Sequence, residues 1–96
     1  MSVYAIAQAS VDDQETLDEY VAAAMPILQA HQVRILAFDE APTMVEGSVE
    51  HPRTVILEFE SEHAFHDWYH SPEYQAARKL RENASRGTFI LVEGLD

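Results

Sequence analysis

Apolar side chains recur along this chain with two different periods, and the switches between them mark its elements. Val3 to Ala9 is short, apolar and closed by Ser10 and Asp12-Asp13, which predicts a strand. The acidic cluster then opens a helix: Asp12 or Asp13 can cap it, and Glu15 sits near the positive end of its dipole. Leu17, Tyr20, Val21, Ala24 and Leu28 follow the three-to-four spacing of one buried face. Pro26 lies inside that pattern, removes one backbone donor and predicts a kink. Val33 to Phe38 predicts a second strand. Ala41 to Pro52, with two prolines and Gly47, predicts a long connection with room for a short strand at Met44-Val45. Thr54 to Phe59 predicts a third strand. Ser61 then caps a helix whose apolar positions are Phe65, Trp68 and Tyr69. Ser71-Pro72 restarts it, because Ser suits the N-cap and Pro the first helical position. The new segment carries Tyr74, Ala77, Leu80 and Ala84 on one face. Arg86-Gly87 stops it, and Thr88 to Val92 predicts the last strand.

Strand, helix, strand, strand, helix, strand is the order of the split βαβ motif. It predicts an α+β, ferredoxin-like βαββαβ sandwich in one domain, residues 1–96, with helices on one face of an antiparallel sheet. A sheet with one wet face alternates apolar and polar residues. Here Val55, Leu57 and Phe59 oppose Ile56, and Phe89 and Leu91 oppose Ile90 and Val92, so both faces are apolar. Helices can cover only one of them. The other is expected to meet a second subunit, giving a homodimer packed sheet to sheet.

Charge narrows the partners. The net charge is −11. One basic and nine acidic residues fall in 1–50, five basic and eight acidic in 51–96. A nucleic acid would be repelled, and no basic stripe with interleaved aromatics offsets that. The longest apolar run, Val21 to Leu28, is far short of the roughly 20 residues that cross a bilayer. Met1-Ser2-Val3-Tyr4 has no basic region ahead of an apolar segment. There is no Cys for a disulfide or a thiolate metal site. The expectation is a cytoplasmic protein without membrane or nucleic-acid partners.

Several side chains are candidates for chemistry, each with a structural alternative. His63, His66 and His70 share one side of their helix, opposite Phe65, Trp68 and Tyr69. They read as a solvent-facing stripe rather than a metal site. Arg78, Lys79 and Arg86 complement the negative end of a helix. Arg81 is seven residues after Tyr74 and stacks on the same face. A guanidinium beside phenols suits a carboxylate, enolate or phosphate, or an internal carboxylate. Glu58 and Arg34 each interrupt an apolar strand, and the fold makes those strands neighbours. They are either a cross-strand pair or the lining of a polar pocket, where a buried Glu58 would serve as a base. His31, on the apolar side of the first helix, is either a hydrogen-bonded residue at the core edge or an acid/base. Trp68, Tyr69 and Tyr74 are core packing or ligand contacts, and buried phenols need polar partners.

Val55 to Ser61, Ala64, Trp68-Tyr69-His70-Ser71-Pro72-Glu73-Tyr74-Gln75, Arg81 and Leu91-Val92-Glu93-Gly94 together resemble the bacterial domain-of-unknown-function family 1330. That family belongs to the dimeric α/β-barrel superfamily. The Trp-Tyr-x-Ser-Pro-Glu-Tyr run is the specific part of the resemblance, which covers nearly the whole chain. It implies a ferredoxin-like protomer whose sheet pairs with its twin into a barrel. Superfamily relatives include cofactor-independent monooxygenases, muconolactone isomerase and haem-degrading enzymes, while the family itself has no established reaction. The chain departs from the family pattern before its second strand, where His31-Gln32-Val33 replaces an aromatic-Gly turn.

Two functions follow as expectations. One is a small-molecule enzyme that needs no cofactor, monooxygenase- or isomerase-like, in which Arg81 orients an anionic or aromatic substrate and Glu58 or His31 moves a proton. The other is a non-catalytic dimeric module that binds a metabolite. An enzyme needs a base within reach of an enclosed cavity; a binding module needs only the cavity.

Overall fold

The computed structural model describes all of residues 1–96. Seven elements follow in order: β1 (Val3–Val11), α1 (Gln14–Ala30), β2 (Arg34–Asp39), β3 (Arg53–Phe59), α2 (Glu62–Tyr69), α3 (Pro72–Ala84) and β4 (Ser85–Glu93). The strands form one antiparallel sheet in the order β2-β3-β1-β4. This is the ferredoxin-like α+β arrangement, with the second helix of the motif divided at Ser71-Pro72.

Register sorts the side chains onto two faces, since directly opposed residues point the same way and successive residues alternate. Val3, Ala5, Ala7 and Ala9 of β1 lie opposite Phe59, Leu57, Val55 and Arg53 of β3. Ala5, Ala7 and Ala9 lie opposite Leu91, Phe89 and Gly87 of β4. This face meets the helices, and Val3, Ala5, Leu57 and Phe59 are buried with Leu28, Trp68 and Tyr74 in one core. The opposite face carries Tyr4, Ile6 and Gln8, then Thr54, Ile56 and Glu58, then Thr88, Ile90 and Val92. No helix covers it.

The junction between α2 and α3 follows from Ser71. Its hydroxyl donates to the Trp68 carbonyl at 2.8 Å and accepts from the Tyr74 N–H at 3.2 Å. One side chain thus closes α2 and caps α3, while Pro72 fills the first turn, where a missing N–H costs nothing. Trp68 and Tyr74 meet across this corner with ring centroids 4.0 Å apart. Gln75 reinforces it, donating to the Tyr69 carbonyl at 2.6 Å.

The structure corrects three sequence-based expectations. β3 begins at Arg53, so Arg53 falls in line with Val55, Leu57 and Phe59 and points into the helical layer. Gly87 does not stop α3: the helix ends at Ala84 and β4 starts at once. Gly87 is instead a place where β4 lies too close to β1 for a Cβ, which would strike the Gln8 carbonyl. Met44-Val45 form no strand. α1 continues through Pro26 to Ala30, with Pro26 exposed. The turn after α1 uses Gln32 at φ 59°, the left-handed conformation that glycine adopts without steric cost.

Replacing Ser71 with Ala removes both clamp bonds and leaves the Tyr74 N–H without a partner, while the Trp68 carbonyl keeps the Ser71 N–H. Urea unfolding should show a loss of roughly 1–2 kcal/mol. An unchanged midpoint would show that the corner is held by aromatic packing alone.

Candidate functional site

A cavity of about 480 Å³ lies between the sheet and the helices. It exists because β1, the strand under its centre, presents only methyl groups there, from Ala7 and Ala9. Ala24 contributes another from α1. Larger residues form the walls: Tyr20, Val21 and Leu28 from α1, Val55 and Leu57 from β3, Trp68 from α2, Tyr74 from α3, and Phe89 from β4. Met25 and Phe38 stand at the rim, each partly in solvent. The volume is within the range of small-molecule sites.

Two arginines enter this apolar space from opposite sides. Arg53 rises from β3 and is only 9% exposed, its guanidinium over the Phe38 ring at 4.5 Å. Arg81 descends from α3 with its guanidinium 5.4 Å from the Phe89 ring centroid. Neither forms an ion pair; Arg34, Arg78 and Arg86 take the acidic partners. Glu82 lines the same cavity but is bonded to Arg78 Nε at 2.6 Å. The buried Nε atoms of Arg53 and Arg81 have no hydrogen-bond acceptor, and neither does the buried indole Nε1 of Trp68. Such groups are costly to leave unmet.

Tyr20 and Tyr74 close the polar set, with their hydroxyls 2.9 Å apart. Burial raises the pKa values of both phenols above the ordinary value of 10.0. For Tyr20, Arg81 and Arg53 act in the opposite sense without overturning that direction. Both phenols are therefore neutral at physiological pH. The pair has two hydrogens and uses one between its members, so one remains to donate.

The other sequence candidates lie elsewhere. Glu58 and Arg34 form the cross-strand pair, Oε1 to Nη1 at 2.7 Å, on the open face of the sheet and not in the cavity. Strand register puts them there: Glu58 is out of step with Leu57 and Phe59. His31 is the C-cap of α1 and lines no part of the cavity. Tyr69 sits behind Trp68, stacked on Phe65 with centroids 5.6 Å apart and with Arg78 over its ring. Of the residues singled out from sequence, Trp68, Tyr74 and Arg81 meet at the cavity. Arg53 and Tyr20 join them unannounced. Arg53 lies two residues before Val55, so it points inward once β3 is extended to it, but Pro52 ends the strand pattern in the sequence. The histidine stripe is on the surface, with His63 3.3 Å from Asp67 and the rings of His66 and His70 stacked. No cluster of three potential metal ligands is present.

The sequence profile of the family described as Domain of unknown function (DUF1330) matches residues 2–95. The chain belongs to that family. No curated protein matches it. Solved structures similar to it share the fold at low identity. A protein of unknown function from Rhodopseudomonas palustris has a TM-score of 0.84 and 17% identity, over 99% of this chain and 83% of that one. A dimeric ferredoxin-like protein of unknown function from Thermobifida fusca has 0.70 and 15%, over 98% and 92%. SnoaB, a cofactor-independent oxygenase from Streptomyces nogalater, has 0.69 and 11%, over 99% and 94%. No helix of this family member is long and apolar enough to cross a membrane.

The buried phenols set an alkaline limit on stability. Above about pH 10 an unfolded chain releases the Tyr20 and Tyr74 protons while the folded chain retains them, so stability falls as pH rises. Ultraviolet titration should show these two phenols ionising only as the fold is lost. Ionisation of all four tyrosines before any change in circular dichroism would contradict the buried pair.

Proposed function

We propose that this protein is a homodimeric α/β barrel in which each protomer binds a compact organic molecule in the cavity between sheet and helices. The observation that carries the reading is that cavity: small side chains on β1 keep open a space bounded by aromatic walls, with buried polar groups that no protein atom satisfies. A core selected only for stability would fill such a space, because packing voids are destabilising.

The dimer rests on the uncovered sheet face. Ile90 and Val92 are 55% and 40% exposed there, beside Ile6 and Ile56. A two-fold axis would bring this self-complementary patch against itself. Structurally similar proteins from Thermobifida fusca and Bacteroides fragilis are described as dimeric. In that assembly the Arg34–Glu58 pair, exposed at Arg34 in the protomer, would lie inside the barrel.

Binding is favoured over catalysis because no unpaired carboxylate or histidine lines the cavity. The second reading, isomerisation or cofactor-independent oxygenation, the latter the activity described for SnoaB, draws on the same two guanidiniums. They would stabilise an enolate or phenolate that has already lost its proton to water before binding, with dioxygen as the oxidant where the reaction is oxygenation.

Two measurements test these statements. Light scattering should give a dimer for the wild-type chain, and Ile90→Glu should give a monomer with unchanged far-ultraviolet circular dichroism. A monomeric wild-type protein would remove the barrel. Ala7→Leu should fill the cavity, raising the melting temperature or leaving it unchanged. It should also abolish the thermal shift of any metabolite that shifts the wild type. A hit whose shift survives Ala7→Leu would place binding elsewhere.

A further inference from the structure

Every buried side-chain polar atom left without a partner on the cavity wall is a hydrogen-bond donor. Arg53 Nε, Arg81 Nε and Trp68 Nε1 are buried and have no acceptor. The Tyr20–Tyr74 pair has one hydrogen left over. No orphaned acceptor stands among them. The charge is also one-sided. Two of the six basic residues of a chain with 17 acidic ones are held here without a carboxylate. We propose that the ligand is an organic acid, a carboxylate on a compact apolar or aromatic body, whose carboxylate accepts from Arg53 and Arg81. This rests on the small-molecule reading above and names its ligand class.

Geometry supports a compact acid in particular. Arg53 stands on β3, and Arg81 stands on α3 with its guanidinium over Phe89 of β4, with β1 between those strands. The two guanidiniums thus border the alanine floor from opposite sides, and an acid seated on that floor has one on either flank. Each guanidinium already lies over an aromatic ring, which shields one side of it and leaves N–H groups to bond the acid. A phosphate monoester fits less well. Phosphate sites use the backbone N–H groups at helix N-termini. This cavity is lined instead by the last turn of α3, at Arg81, Glu82 and Ser85, whose negative dipole opposes a dianionic phosphate more than a monoanionic carboxylate. The apolar walls of Val21, Leu28, Val55 and Phe89 take the body of the molecule.

The test compares matched ligands by isothermal titration calorimetry with the full chain. The probes are 2-naphthoate and cyclohexanecarboxylate, each beside its primary amide and its alcohol. The acids should bind at least tenfold more tightly than their neutral partners. Arg81→Met and Arg53→Met keep the apolar stem and should remove that preference, while Arg34→Met on the open face should keep it. Circular dichroism checks that each variant folds; if Arg53→Met does not, Arg81→Met and Arg53→Lys carry the comparison. Neutral analogues binding as tightly as the acids would overturn the acid assignment and leave the cavity reading standing. An acid preference that survives both arginine substitutions would overturn it too. If neither acids nor neutral analogues bind, the cavity reading itself falls.

Discussion

Trp68 and Tyr74 belong to different helices, six residues apart, and their rings meet at 4.0 Å because Ser71 turns the chain between them. Most of the helical layer depends on that contact. Trp68 also packs on Phe59 of β3, which ties the corner to the sheet. Tyr74 reaches the Tyr20 hydroxyl on α1, which ties α3 to α1. Two helical turns beyond Tyr74, the same face of α3 delivers Arg81. At the far end of α3, the Ala84 carbonyl accepts from both the Asp12 and Asp13 N–H groups, pinning the start of α1. A helix fixed at both ends can hold a charged side chain over an apolar space without collapsing onto it.

The charge of the molecule sharpens what that space means. With a net charge of −11, an anionic ligand meets an unfavourable field at long range. Attraction must therefore be local, and the two unpaired guanidiniums supply it at short range in a poorly solvated setting, where such contacts are strong. The Arg34–Glu58 pair on the other face is a contrast. In the single protomer Arg34 is largely in water, and an ion pair so exposed contributes little.

The fold was legible because its signals are local: strand alternation, the Ser71-Pro72 restart, and the order of the elements. Trp68, Tyr74 and Arg81 were legible as a set because one helix face holds the last two at a spacing of seven. Arg53 was not, since it follows Pro52 and reads as the end of a loop; only the extra residue of β3 turns it inward. Tyr20 was visible as an apolar position, but its hydroxyl partner is 54 residues away. Glu58 and His31 have the side chains that catalysis uses. Strand register sends the first to the open face, and helix capping holds the second at the end of α1. Residue type suggests chemistry, but tertiary register decides where it points.

β1 carries consequences beyond its place at the centre of the sheet. Its odd-numbered residues Ala7 and Ala9 set the depth of the cavity, and its even-numbered residues, Tyr4, Ile6 and Gln8, form part of the uncovered face. Two surfaces are thus encoded in alternate letters of one short segment. A single methylene added at an odd position resizes the space for a ligand without touching the opposite surface. An even position can be retuned for a partner with the ligand space unaltered. Divergence within such a fold can change what is held and what is joined as separate, nearly independent traits, while a one-residue insertion in β1 would exchange them both at once.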